Sequence, residues 1–147
     1  MFRDGRHVYD VRVYFEDTDA GGIAYHASYL RFAERARTEL LRERGVAHAD
    51  LIAEHGMFFV VRRAKLDYLR PAMLDDALAV ITETLAVGGA SALLRQSFFR
   101  GHEAAPLVVL DLSLAVVRRA DHRPARLPAR WRAALAGLLM KNDENKE

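Results

Sequence analysis

The sequence predicts an α+β domain in which one long helix lies across a single curved antiparallel sheet. Three observations carry that reading. A strand-like segment opens the chain, one extended helical period follows, and from 57 to 118 the chain runs in long alternating segments punctuated by glycine and proline.

The first strand is expected over 8–15, where Val8, Val11, Val13, Tyr14 and Phe15 supply β-branched and aromatic side chains. An acidic loop bearing Gly21 and Gly22 stops it. From 27 to 44, Tyr29, Phe32, Ala33, Ala36 and Leu40 recur at helical spacing, while Arg31, Glu34, Arg35, Thr38, Glu39 and Arg42 fill the other face. Gly45 is placed to end that helix, because glycine accepts the left-handed conformation at little cost. A short helix is expected over 48–55. The next strand starts near Met57, with Phe58, Val60, Ala64, Leu66 and Tyr68 on one face, Arg63, Lys65 and Asp67 on the other, and Pro71 as its stop. Segments 77–87 and 90–100 flank Gly88-Gly89, which predicts a hairpin with a tight primed turn. A further strand is expected over 106–118. Pro128 is placed in the first turn of a last helix, with Trp131, Leu135, Leu138 and Leu139 on one side. Residues 141–147 are expected to be a disordered tail.

With 147 residues, 51% hydrophobic and 29% charged, the whole of 1–147 reads as one domain able to close its own core. There is no cysteine, which removes thiol nucleophiles, thiolate zinc sites and iron-sulfur clusters, and fits a reducing compartment. The opening residues show no export signal, and no apolar run is long enough to span a bilayer. A cytoplasmic protein is expected. The formal net charge is only +2, yet 19 of the 22 basic residues are arginine, a balance that suits a small anionic substrate better than a nucleic-acid backbone.

The chemistry is concentrated in Glu16-Asp17-Thr18-Asp19-Ala20-Gly21-Gly22-Ile23-Ala24-Tyr25-His26, a carboxylate-rich loop feeding the long helix. The free N–H groups that open a helix can hold negative charge developing on a carbonyl oxygen, and glycines such as Gly22 let a ligand approach the backbone. A carboxylate on the same loop could attack that carbonyl or activate water. Acidic residues and glycines before a helix are equally ordinary capping and turn residues.

Val11-Arg12-Val13-Tyr14-Phe15-Glu16-Asp17-Thr18-Asp19-Ala20-Gly21-Gly22, Tyr25-His26-Ala27-Ser28-Tyr29-Leu30 and Phe32-Ala33-Glu34-Arg35-Ala36-Arg37-Thr38-Glu39 resemble the hotdog-fold acyl-CoA thioesterases of the 4-hydroxybenzoyl-CoA thioesterase family. Within that family the resemblance is closest to the branch associated with the bacterial Tol-Pal system. Phe59-Val60-Val61-Arg62-Arg63, Asp67-Tyr68-Leu69-Arg70-Pro71-Ala72 and Leu74-Asp75-Asp76 extend it, so that it spans 8–120.

The resemblance implies a thioester hydrolase with a sheet wrapped around one helix, paired into a dimer or assembled further into a tetramer, with substrate between subunits. It implies Asp19 as the catalytic carboxylate, either nucleophile or general base, and Asp17 as a structural neighbour that bonds loop N–H groups. It places the oxyanion-binding backbone N–H near Tyr25 and His26. The His26 side chain could orient substrate or water, or simply cap and pack, and Tyr25 is expected in the acyl pocket or the core. Coenzyme A is then part of the substrate rather than a cofactor, and acyl carrier protein could replace it. Its phosphates need cations, for which Arg62, Arg63 and Lys65 are the candidates, since Arg63 and Lys65 share a strand face.

Other readings are weaker. The segment from Asp17 imitates an EF-hand opening but has Gly21 and Ser28 where ligands are required, and the six histidines lack metal-ligand spacing, so no metal is expected. Arg118, Arg119, Arg123, Arg126, Arg130 and Arg132 could dock an anionic partner and make the chain a non-catalytic binding module. They carry no interleaved aromatics of a nucleic-acid binder, and none is expected as a partner. A hotdog dehydratase is disfavoured because the loop matches the thioesterase pattern.

Overall fold

A computed structural model describes residues 1–140, and the expected tail at 141–147 lies outside the described residues. Strands β1 (Phe2–Arg3) and β2 (Arg6–Arg12) pair first, followed by one 3-10 turn at Phe15–Asp17. Then come α1 (Ser28–Glu43), α2 (His48–His55), β3 (Met57–Tyr68), β4 (Ala77–Val87), β5 (Ser91–Arg100), β6 (Val108–Arg118) and α3 (Ala129–Ala136). The strands form one antiparallel sheet in the order β1-β2-β4-β5-β6-β3, packed on α1. This is the α+β hotdog architecture that the sequence implied.

The core follows from two periodicities meeting. From α1, Phe32, Ala33, Ala36 and Leu40 are fully buried and Tyr29 nearly so. They meet alternate residues of the sheet, among them Leu78, Val80, Leu94, Phe98, Leu110 and Leu112. Each large apolar side chain so buried contributes about 1.5–3 kcal/mol. The helix ends as Gly45 required: Gly45 has φ +72°, its N–H donates to the Arg42 carbonyl, and the Val46 N–H donates to that of Leu41. Val46 and Leu41 are both buried, which supplies the apolar contact that usually accompanies this cap.

Four expectations need correction. The first strand ends at Arg12: the Val13 N–H still reaches the Asp76 carbonyl opposite it, but the Asp76 N–H turns to the Met73 carbonyl and the Tyr14 N–H to the Asp17 carboxylate. Tyr14 and Phe15 are left in an exposed turn. In β3 a bulge at Arg62 sets Val61 opposite Leu114 and Arg63 opposite Ser113. An extra residue reverses the alternation beyond it. Phe59 and Val61, rather than Phe58 and Val60, therefore share the inner face with Ala64, Leu66 and Tyr68. Gly88-Gly89 does not make a primed turn, since neither glycine has positive φ. The connection runs to Ala90 and is closed by the Gly88 N–H on the Ser91 carbonyl. Finally, Pro128 is the N-cap rather than a first-turn residue, and α3 stops at Ala136. Leu138 is still buried, whereas Leu139 is exposed beside Thr84.

Burial also writes a pH dependence into the fold. His7 and half-buried His48 are both pulled below the ordinary histidine value of 6.5, first of all by desolvation. Below that value the unfolded chain takes up more protons than the folded one, so this stability is complete above about pH 6.5 and is lost as pH falls through the lowered folded values. The melting temperature should fall between about pH 7 and pH 5, and less steeply for His48→Gln. Equal slopes for the two proteins would remove His48 from this account.

Candidate active site

Thr18 bridges Ala24 in antiparallel fashion, and the turn between them is closed by the Asp19 N–H on the Ile23 carbonyl and the Gly22 N–H on the Asp19 carbonyl. Gly22 at φ +78° makes that turn possible. The hairpin is stitched to the segment after β3: the Ala24 N–H donates to the Ala72 carbonyl, the Leu74 N–H to the Gly22 carbonyl, and Ile23 bridges Met73. Arg100 fixes the other side, bonding the Asp76 carboxylate at 2.8 Å and the Pro71 carbonyl at 2.6 Å.

The two carboxylates have different surroundings. Asp17 is buried, and its Oδ2 accepts the Tyr14 N–H at 2.8 Å while Oδ1 lies 3.6 Å from Arg31. Its own carbonyl accepts the Tyr25 N–H and the Ser28 hydroxyl, tying the loop to the start of α1. Asp19 is exposed, and its Oδ1 accepts only the Gly21 N–H, at 2.8 Å. Oδ2 has no partner among the described residues. The first carboxylate builds the loop, and the second is left chemically available.

Asp19 opens onto a cleft of about 430 Å³, lined also by Ile23, Ala24, His26, Tyr29, Tyr68, Leu69, Arg70 and Pro71. One wall is aromatic: Tyr29 meets Tyr68 edge-on at 5.8 Å and Phe98 at 5.4 Å. Burial raises the Tyr29 hydroxyl above its ordinary value, and that oxygen accepts the Ala72 N–H. The Tyr68 hydroxyl donates to the His26 carbonyl at 3.1 Å. Among the described residues no side chain caps α1. The N–H groups of His26 and Ala27 have no acceptor among the described residues and stand at the positive end of a sixteen-residue helix.

Of the residues singled out in the sequence, Asp19 and His26 meet in this cleft. Gly22 shapes its turn without lining it. Tyr25 is exposed, its ring tilted against that of His26 at 4.2 Å, and outside the lining. Arg62 is the bulged residue of β3, and Arg63 and Lys65 lie on the outer face of that edge strand, away from the cleft of their own chain. The cation at the cleft is Arg70, which bonds the Ala105 carbonyl and Glu103. Tyr68, Leu69 and Arg70 had no local signal of a site, because the Ala24–Ala72 and Ile23–Met73 pairings bring their segment to the loop, whereas Tyr29 enters the cleft from the first turn of α1. In the arginine-rich segment Arg118 is paired with Asp121, Arg130 with Glu54, and Arg132 donates to the Gly88 carbonyl, so half of it holds the fold together. Among the described residues no helix is long and apolar enough to cross a membrane, and no cluster of three metal-ligating side chains occurs.

Gly21 adds a test of how tightly the free carboxylate is placed. A Cβ there would lie 3.3 Å from Asp19 Oδ1, closer than ordinary packing. Gly21→Ala should lower turnover by about 10- to 100-fold with little change in melting temperature, since small displacements of a reacting group are costly. Undiminished turnover would show that the Asp19 carboxylate tolerates the intrusion.

An exposed carboxylate and the start of α1 thus border one cleft with an aromatic wall. The sequence from 13 to 135 matches the Thioesterase-like superfamily, and the chain belongs to that family of thioester hydrolases. Among its relatives is the acyl-CoA thioesterase YbgC of Haemophilus influenzae, 41% identical over 92% of this chain and 98% of that protein. The protein of the same name from Helicobacter pylori is 31% identical over 86% and 98%. A probable thioesterase from Bartonella henselae superposes with a TM-score of 0.77 at 35% identity, covering 84% of this chain and 99% of that one.

Proposed function

We propose that the chain hydrolyses the thioester bond of an acyl-CoA to a free acid and coenzyme A, with Asp19 as the reacting carboxylate and the amides opening α1 as the oxyanion site. The observation that carries this reading is that Asp19 and the α1 N-terminus border one cleft while the other loop carboxylate, Asp17, is consumed by structure. The names of the full-length relatives support the substrate class.

The thioester carbonyl oxygen would rest against the His26 and Ala27 amides, where charge developing on it is stabilised. In one route Asp19 Oδ2 attacks the carbonyl carbon, the C–S bond breaks, coenzyme A leaves as thiolate, and water hydrolyses the resulting anhydride. In the other, Oδ2 takes a proton from water whose oxygen attacks, and that proton passes to the departing sulfur. Both balance without a cofactor or metal. Gly22 holds the Asp19 turn, Tyr25 and His26 flank the entry to α1, and the coenzyme phosphates draw on Arg70 or on Arg62, Arg63 and Lys65 of a neighbouring subunit. Acyl carrier protein is an alternative carrier.

Among the described residues the twelve-residue β3 has one unpaired edge, and it carries exposed Val61. Such an edge invites pairing with a second copy, which supports a homodimer or a tetramer built from it. A cytoplasmic setting suits the absence of cysteine. The test is a panel of short, long and aromatic acyl-CoA thioesters followed by free-thiol release. Release from at least one class is expected, and inertness of folded protein towards all of them would overturn the reading in favour of a binding module acting through the arginine-rich segment.

A further inference from the structure

Two peptide groups supply the open amides at the start of α1, and they are held differently. The His26 N–H belongs to the peptide that carries the Tyr25 carbonyl, and this carbonyl accepts the Ser28 N–H at 2.8 Å. Backbone alone pins that unit. The Ala27 N–H belongs to the next peptide, which carries the His26 carbonyl. Among the described residues no backbone N–H reaches the His26 carbonyl, and its one partner is the Tyr68 hydroxyl, which donates to it at 3.1 Å. Without that bond neither end of the His26–Ala27 peptide has a hydrogen-bond partner among the described residues.

A peptide unit is planar and trans, so its N–H and C=O point in opposite directions and turn together. Rotation of this unit would set a carbonyl oxygen where the site needs a donor, against the charge developing on the substrate. A carbonyl that accepts a hydrogen bond also polarises the N–H of its own unit and strengthens it as a donor. Tyr68 thus bears on the Ala27 amide in both orientation and strength.

The fold holds Tyr68 in place for this. It ends β3 in register with Val108, and the N–H groups of the next two residues, Leu69 and Arg70, both donate to the Leu107 carbonyl. Its ring meets that of Tyr29 edge-on at 5.8 Å. Tyr29 is itself nearly fully buried, meets Phe98 at 5.4 Å and receives the Ala72 N–H on its hydroxyl. Because Tyr29 stands in the first turn of α1, the aromatic wall of the cleft also ties the end of β3 to the start of the helix.

We infer that Tyr68 is a positioning residue for the oxyanion site, its hydroxyl fixing the His26–Ala27 peptide with the N–H open to the thioester carbonyl. This rests on the proposed thioesterase reading and adds to it a residue that acts through the backbone. The bond belongs to the same chain as the Asp19 cleft that it serves.

The experiment has two readouts. Tyr68→Phe removes the hydroxyl and keeps the ring against Tyr29, so the melting temperature should hardly move for the loss of one exposed bond. With an acyl-CoA that the wild type hydrolyses, kcat should fall by about tenfold, less than the roughly 10²–10³-fold lost with a direct oxyanion donor, and KM should change little. The second readout is the carbonyl stretch of the same thioester bound uncleaved to Asp19→Asn, followed by infrared difference spectroscopy. Adding Tyr68→Phe should move that band to higher frequency, because a weaker hydrogen bond leaves more double-bond character in the carbonyl. Wild-type kcat in Tyr68→Phe, a loss confined to KM, or a band that does not move would each overturn the inference while leaving the role of Asp19 intact. A folded wild type inert towards every acyl-CoA overturns the thioesterase reading and this inference with it.

Discussion

Asp19→Asn should lower thioester hydrolysis by about 10²–10⁴-fold or more while acyl-CoA still binds and the melting temperature barely moves. The carboxamide is nearly isosteric and can still accept the Gly21 N–H through its oxygen, so the turn 19–22 keeps its closure. What is lost is a charged oxygen able to bond carbon or accept a proton, which either route requires. Asp17→Asn should behave differently. Its carboxylate receives the Tyr14 N–H and faces Arg31, so neutralising it weakens the loop and lowers stability and activity together. Steady-state kinetics beside calorimetric binding separate the two. An Asp19→Asn enzyme of normal rate would remove this residue from the chemistry.

Phe98→Ala should produce the largest loss of stability, about 3–5 kcal/mol, or roughly 10–15 °C in melting temperature for a chain of this size. Phe98 is fully buried on β5, paired in register with Val80 and Val108, and its ring meets the edge of Tyr29. A cavity here removes apolar contact and the support of the cleft's aromatic wall at once. Circular dichroism would measure the first effect, and kcat/KM well below the melting transition the second. A fall of less than about 5 °C would mean that the core closes over the missing ring.

The helices were legible because their signals are local. The buried stripe of α1 is visible as Tyr29, Phe32, Ala33, Ala36 and Leu40, and its stop as Gly45, and the structure puts both where the period and the cap chemistry say. The reversed face of the first half of β3 was not legible. Phe58, Phe59, Val60 and Val61 are all apolar, so alternation cannot choose a face, and the bulge at Arg62 that decides it is a property of pairing with β6. The same division runs through the site. Asp17 and Asp19 stand in one short segment, and their spacing does not say that the first is buried and bonded to the Tyr14 N–H while the second stays exposed. Tyr68 and Arg70 belong to the cleft only through contacts between segments more than forty residues apart, on which sequence spacing is silent.

The most direct test of the whole account is a crystal structure of Asp19→Asn with an uncleaved acyl-CoA bound. The account predicts the thioester carbonyl oxygen within hydrogen-bond distance of the His26 or Ala27 N–H, and the carboxamide that replaces the Asp19 carboxylate facing the carbonyl carbon. A thioester bound elsewhere on the chain, or one whose oxygen points away from the start of α1, would contradict it.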